Sequence, residues 1–204
     1  QGLILETPIH ITEATVVATD YKGNFDISKS RTHFWVGDAD GTIAVSLNYM
    51  EPDGVPAFEI QTGQKISFTV RRINRYFDQP QIRGIGLVNA DTGREESDMV
   101  LESLDNPVFV WAPDRPLVPS DIGRGVRVNG ALLGSGEECG GAYRCWDIDY
   151  GFGRAVFRSA SEFLSSGQCV TFVGPLNFYQ EDPQLNVNNL SWIREDVEVE
   201  PSGG

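Results

Sequence analysis

Gly63-Gln64-Lys65-Ile66-Ser67-Phe68 recurs as Gly167-Gln168-Cys169-Val170-Thr171-Phe172, 104 positions further on. In both copies a Gly-Gln pair opens a run whose apolar residues alternate with others, the period of a strand with one buried face. The correspondence extends in both directions. Toward the C-terminus, after a one-residue deletion, Tyr76 meets Tyr179 and Pro80-Gln81-Ile82 meets Pro183-Gln184-Leu185. Toward the N-terminus, Phe34-Trp35-Val36-Gly37-Asp38 lies over Cys145-Trp146-Asp147-Ile148-Asp149, each followed by a Gly-containing turn and an apolar strand. Three matches in one order point to a duplicated unit. They also set Trp35 and Trp146 at equivalent positions, read as repeated core.

Alternating segments fill the rest of each copy. Ile11 to Thr19, Thr32 to Val36, Thr42 to Leu47, Lys65 to Val70 and Gln81 to Val88 read as five strands, separated by Gly, Asn, Asp and Pro clusters. Gly125 to Leu133, Tyr143 to Ile148, Arg154 to Phe157, Gln168 to Val173 and Gln184 to Ile193 read as five more. Between the series, Pro107, Pro113, Pro116 and Pro119 make a stiff connector that cannot continue a sheet. Its Val108-Phe109-Val110-Trp111 core is apolar enough to pack against a barrel. The expected organisation is a first unit over residues 1–103, a connector over 104–123 and a second unit over 124–204 with a frayed acidic tail.

Each unit is a five-strand module with a Gly-opened fourth strand and a Tyr-containing hairpin leading to Pro-Gln-Ile or Pro-Gln-Leu in the fifth. This resembles the OB-fold, a small Greek-key barrel. More narrowly, Thr32 to Leu47 followed by Gly63 to Ile82 is similar to OB-like domains of secreted bacterial proteins. The resemblance spans nearly the whole chain and implies an all-β protein of two tandem five-stranded OB-like barrels. OB-folds usually place a helix between strands three and four. Ser159 to Leu164 can form a short one, whereas Asn48 to Glu59, broken by Pro52, Gly54 and Pro56, reads as a loop.

Composition narrows the function classes. The 204 residues carry 16 basic and 29 acidic side chains, a net charge of −13, and only three of the cations are lysines. Residues 1–105 hold 9 basic and 16 acidic groups, so the acidity is spread along the chain rather than gathered in a tail. Such a surface aids solubility and repels polyphosphate backbones and anionic membranes, which disfavours a general nucleic-acid binder. No run approaches the ~18 apolar residues of a membrane span. The chain opens on Gln1 rather than Met, so a trimmed start is expected, and residues 1–20 hold no apolar signal core. Cys139 and Cys145 flank a Gly-Gly pair that permits a tight reversal, so they are expected to form a local disulfide; Cys169, in an alternating run, reads as a buried thiol. Together these point to an exported protein, extracellular or periplasmic.

Catalytic signals are sparse. His10 and His33 are the only histidines, and neither belongs to a nucleophile motif. Zinc spacing and phosphate-binding glycine loops are absent, so no metal or cofactor is expected. Asp38-Ala39-Asp40-Gly41 and Asp147-Ile148-Asp149-Tyr150-Gly151 fall short of a calcium loop and read as turns. The expectation is therefore a non-enzymatic protein; scattered carboxylates converging as a hydrolase site are the distant rival.

Contact surfaces are more legible. Arg71, Arg72, Arg75, Tyr76, Phe77 and Arg83 form the one basic, aromatic-interleaved stretch, and it falls on the hairpin between the fourth and fifth strands. There arginines would meet phosphates while a ring stacks on a base. The matching hairpin of the second copy is acidic and offers Phe178 and Tyr179 as aromatic tips. The apolar run from Gln1 to Ile11 either packs on its own barrel or adds to the sheet edge of another molecule. The leading expectation is a structural or interaction protein whose partner is another protein or its own copy. The alternative is binding of a single-stranded nucleic acid or oligosaccharide through the first barrel's hairpin.

Overall fold

The repeated Gly-Gln pair builds the same turn twice. Gly63 and Gly167 take φ of 83° and 82°, in the left-handed region that glycine enters without Cβ strain. The Gly63 N–H donates to the Val16 carbonyl at 2.9 Å, and Val16 N–H donates to the Gln64 carbonyl at 2.8 Å. The Gln64 Oε1 then accepts the Gln61 N–H at 3.1 Å. In the second copy Gly167 N–H donates to Leu132 at 2.7 Å, Leu132 N–H to Gln168 at 2.9 Å, and Ser165 N–H to the Gln168 Oε1 at 3.0 Å. One side-chain amide thus closes the turn that aims each fourth strand at the first.

The computed structural model describes residues 2–20, 32–38, 41–47, 60–76, 79–88, 95–97, 99–103, 108, 110–140, 143–160, 163–187 and 192–195. The expected loop Asn48 to Glu59 and the C-terminal tail lie outside them. The first unit contains β1 (Leu3–Thr19), β2 (Thr32–Gly37), β3 (Thr42–Leu47), β4 (Lys65–Tyr76) and β5 (Gln79–Gly84). Their order is β1-β2-β3-β5-β4, closed by β1 pairing with β4. All pairings in this circuit are antiparallel except β3 with β5, which runs parallel through Ala44↔Gln81 and Val45↔Ile82. That circuit, with its single parallel pair, is the OB-type barrel. The small strands β6 (Gly86–Val88) and β7 (Glu95–Ser97) pair with each other, and β8 (Val100–Leu101) adds to β4.

The second unit repeats the order with β9 (Gly125–Glu138), β10 (Arg144–Asp149), β11 (Arg154–Ser159), β12 (Cys169–Pro175), β13 (Asn177–Tyr179), β14 (Asp182–Val187) and a short β15 (Ile193–Glu195). The sheet runs β13-β14-β11-β10-β9-β12-β15, with β11 and β14 parallel. Its β12 and β13 are one arm interrupted only at Leu176. There the connector enters: Leu176 N–H donates to the Arg124 carbonyl at 2.8 Å and Gly123 N–H to the Leu176 carbonyl at 2.9 Å. The chain is therefore two tandem OB-like barrels, as expected. The connection from β11 to β12 holds no helix among the described residues.

The run from Leu3 takes one of its two expected courses and packs on its own barrel: it begins β1, eight residues before the expected start at Ile11, pairing Leu3↔Ile73, Ile4↔Arg72 and Ile9↔Val70. Two expectations are corrected. Cys169 is exposed, not buried. The two tryptophans are not equivalent. Val16↔Val36 matches Leu132↔Ile148, because Val16 and Leu132 receive the same Gly-Gln turn. Trp146 then corresponds to Phe34, and Trp35 to Asp147. Phe34 is fully buried inside the first barrel, whereas Trp35 projects from its outer face into the core of the second.

That difference joins the barrels. Ala18, Trp35 and Ala44 are register neighbours on β1, β2 and β3. The two alanines leave room for the indole, which meets Trp192 edge to face with ring centroids 5.3 Å apart. Gly123 sits close by at φ 81°, where a Cβ would lie 2.7 Å from the Thr42 carbonyl oxygen. The connector is also fastened: Trp111 bridges to Val126, with Trp111 N–H donating to Gly125 at 2.8 Å and Arg127 N–H to Trp111 at 2.9 Å. Arg124 and Arg115 stand over the Trp111 ring at 4.1 and 4.9 Å. Both arginines also reach the buried Asp121 carboxylate.

Candidate nucleic-acid interface

On the second barrel, strand alternation decides which side chains face outward. Trp146 and Ile148 of β10, Ala155 and Phe157 of β11, and Leu185 and Val187 of β14 fill the core. The intervening positions form rows across the outer face. Cys145 pairs with Arg158 and Arg158 with Asn186, while Val156 pairs with Gln184 and Gln184 with Asn177. Of these, Cys145, Arg158, Asn186, Gln184 and Asn177 line a cleft of about 460 Å³ with Cys139, Phe178, Tyr179 and, from the first barrel, Gln79. The cleft lies where the β9–β10 hairpin, the tip of the β13–β14 hairpin and the first barrel's β4–β5 hairpin converge.

The wall of the cleft is held covalently. Cys139 and Cys145 form the expected disulfide across the β9–β10 hairpin, with Cα atoms 5.8 Å apart. Within the loop it closes, the Gly140 carbonyl accepts from Arg158 Nη2 at 3.3 Å, and the guanidinium lies over the Tyr143 ring at 4.2 Å. Arg158 is thus fixed from two sides by the disulfide loop. Its Nε, and the Oδ1 of Asn186 beside it, are buried without a hydrogen-bond partner among the described residues. At the other side, Gln180 and Glu181 take φ of 52° and 75°, making a tight two-residue turn that presents Tyr179 at the rim.

The residues expected from sequence to make contacts are partly brought together. Tyr179 is 45% exposed and Phe178 is buried in the second core, because strand alternation turns it inward; both line the cleft. Arg71, Arg72 and Arg75 lie on β4 and Arg83 on β5, in one antiparallel hairpin. Arg72 and Arg75 are exposed, Arg72 Nη2 donates to the Arg83 carbonyl at 3.3 Å, and Arg71 Nε is buried without a partner among the described residues. Phe77 lies outside the described residues, and nothing is described of the Tyr76 side chain. The tip of the same hairpin supplies Gln79, so the basic arm and the cleft adjoin. Sequence reading missed Tyr143, Arg158, Gln184 and Asn186. Their outward strand positions were the available signal, but the juxtaposition arises only from the parallel β11–β14 register.

A second polar group also escaped the sequence reading. Asp20, His33 and Ser46 form the row next to Ala18, Trp35 and Ala44. The Asp20 Oδ2 lies 3.1 Å from His33 Nδ1, its Oδ1 accepts the His33 backbone N–H at 2.7 Å, and His33 Nε2 lies 3.2 Å from Ser46 Oγ. Asp20 and Ser46 are both buried. An ionised carboxylate only accepts, so the contact with Asp20 calls for a proton on Nδ1, and Nε2 shares the second hydrogen bond with the Ser46 hydroxyl. The row connects three strands beside the barrel junction, and the cleft lining includes none of its members. His10 makes a simpler pair, its Nδ1 lying 2.9 Å from Thr69 Oγ1 across β1 and β4. The aspartates weighed as calcium ligands serve turns: Asp38 accepts the Gly41 N–H at 3.3 Å and Asp149 the Gly151 N–H at 3.0 Å. Asp40 lies outside the described residues.

No protein-family model matches the chain, and no curated protein matches it. Solved structures align with most of the chain at low identity. The p202 HIN1 domain in complex with 12-mer dsDNA is 12% identical, with a TM-score of 0.40 over 96% of this chain and 95% of that one. The tetrameric p202 HIN2 gives a TM-score of 0.42 at 11% identity over 97% and 96%. Fission yeast Pot1 with ssDNA gives 0.37 at 9% identity over 96% of this chain and 85% of that one. The resemblance to secreted bacterial proteins does not emerge among these structures.

Proposed function

We propose that the chain is a non-enzymatic binder of single-stranded nucleic acid, held along a path from the first barrel's arginine hairpin to the cleft on the second. One observation carries this reading: Gln79, at the tip of the hairpin bearing Arg71, Arg72, Arg75 and Arg83, lines the same cleft as Arg158, Asn186 and Tyr179. Residues 71–83 hold four arginines against Asp78 alone, a positive island in a chain of net charge −13. The overall charge repels a duplex, whose phosphates are densely packed, more than a single strand whose bases can also be gripped. The disulfide supports an oxidising setting outside the cytoplasm for this activity.

Fluorescence anisotropy with a labelled oligothymidylate at low salt tests the reading. Binding is expected, with a log–log salt slope no steeper than about −3, the ceiling for four arginines at about −0.7 per phosphate. Arg72→Ala combined with Arg75→Ala is expected to weaken binding and flatten the slope. No change in anisotropy at low salt overturns the reading.

A second reading, self-association, is favoured by β1. Leu3 is 64% and Ile4 72% exposed, and among the described strands residues 3–11 pair only with β4. Strand addition between copies at that edge would cover them. Size-exclusion chromatography with light scattering tests it: a dimer that Ile4→Lys converts to monomer supports it, and a monomer at all concentrations ends it.

A further inference from the structure

Arg158 and Asn186 are register partners on the parallel β11–β14 ladder, so their side chains stand next to each other on one face. Each has one buried polar atom without a partner among the described residues, Nε of Arg158 and Oδ1 of Asn186, and both residues line the cleft. One atom is a donor and the other an acceptor. Arg158 Nη2 is already committed to Gly140, and the guanidinium lies over the Tyr143 ring, which holds its orientation.

We infer that the cleft captures the edge of a nucleobase rather than a phosphate; this rests on the single-strand reading above. A group that satisfies both atoms must present an acceptor and an N–H donor side by side. Every nucleobase has such an edge: ring N3 with the exocyclic amine in cytosine, N1 with the amine in adenine, a carbonyl with the neighbouring ring N–H in thymine and guanine. A phosphate offers only acceptors. It would serve Arg158 Nε but press an anionic oxygen against Asn186 Oδ1, and leave that atom as unpaired as before. Tyr179 at the rim supplies a ring face on which the same base can stack. Because all four bases carry the required edge, the pair separates base from backbone without choosing strongly among bases. Capture of this kind also suits an acidic molecule, since a neutral base edge meets no repulsion from the surrounding carboxylates.

The experiment compares an oligothymidylate with an abasic oligomer of equal length and charge, on the disulfide-bonded protein. The expected result is binding to oligothymidylate at least about tenfold tighter than to the abasic strand, the weight of one good hydrogen bond pair. Asn186→Leu should lower oligothymidylate affinity about tenfold and leave the abasic affinity unchanged. Arg158→Lys, which puts a methylene in place of Nε and keeps the positive charge, serves as the second variant, with circular dichroism melting of both as the fold control. Equal affinity for the two strands, or a variant that weakens both alike, overturns base capture while the single-strand reading stands. Binding of neither strand at low salt overturns both, as does capture of an N-acetylated oligosaccharide with no oligonucleotide bound.

Discussion

Asp121 shows how much one buried carboxylate can organise. It accepts from Arg115 Nη1 and Nη2 at 2.7 and 2.6 Å, from the Val118 N–H at 3.1 Å and from Arg124 Nη1 at 3.4 Å. The hydrogen bonds from Arg115 hold its carboxyl below the usual carboxylate range, against the opposing effect of burial. The folded state therefore binds this proton less readily than the unfolded chain. The stabilisation is fully present above the ordinary carboxyl value near pH ~4 and is lost as pH falls through the lower folded value. Asp121→Ala is expected to cost about 2–3 kcal/mol at neutral pH, the scale of charge-assisted hydrogen bonds with buried partners left behind. Urea denaturation at pH 7 and below pH 4 checks both parts: the gap between variant and parent should narrow in acid. Gly123 makes a second residue-scale case. Gly123→Ala adds a Cβ at positive φ and 2.7 Å from the Thr42 carbonyl oxygen. It should lower the melting temperature, whereas Ala at Gly140, positive in φ but with open space around it, should cost only the backbone strain.

At the scale of the element, the β9–β10 hairpin links stability to the cleft. Cys139→Ser with Cys145→Ser opens a short covalent loop, for which about 2–3 kcal/mol of stabilisation is expected. The same change frees the loop that holds Arg158 through Gly140 and Tyr143. The double variant should therefore lose ligand affinity at temperatures where circular dichroism still shows it folded. Unchanged affinity would mean that strand pairing alone positions the guanidinium. The elements also show what a sequence discloses. The Gly-Gln turn was legible because the hydrogen bonds that shape it are local, within residues 61–64 and 165–168, and need the same two residue types each time; its bonds to Val16 and Leu132 were not legible. Tyr76 and Tyr179 were legible as hairpin arms for the same reason. The tryptophan equivalence failed by one position, and one position in a strand exchanges inside for outside. The β1–β2 ladder carries a register shift between Val16 and Ala18, which no pattern of apolar residues announces. Phe178, expected at an exposed tip, is buried by the same parity, although it still lines the cleft. Arg158 and Asn186 lie 28 residues apart, and only the non-local β11–β14 pairing makes them neighbours.

For the whole molecule, the central question is whether two barrels behave as one body. Trp35 belongs by chain to the first barrel and by packing to the second, where it meets Trp192, itself edge to face with Phe172 at 6.4 Å. The Asp20–His33–Ser46 row beside it ties together the three strands that present the indole. Such a junction couples the two cores, because unfolding either barrel exposes the same aromatic cluster. Trp35→Ala removes a buried indole, and about 3–5 kcal/mol of stability is at stake. Its larger effect should be on cooperativity. Differential scanning calorimetry of the parent is expected to give one transition whose calorimetric and van't Hoff enthalpies agree, while Trp35→Ala separates it into two. The cleft depends on the same junction, since Gln79 comes from one barrel and Arg158 from the other. A strand that bridges them should draw the two transitions of Trp35→Ala back together, and a ligand confined to the second barrel should raise only one. Two resolved transitions in the parent itself would show that the tryptophan contact does not couple the barrels.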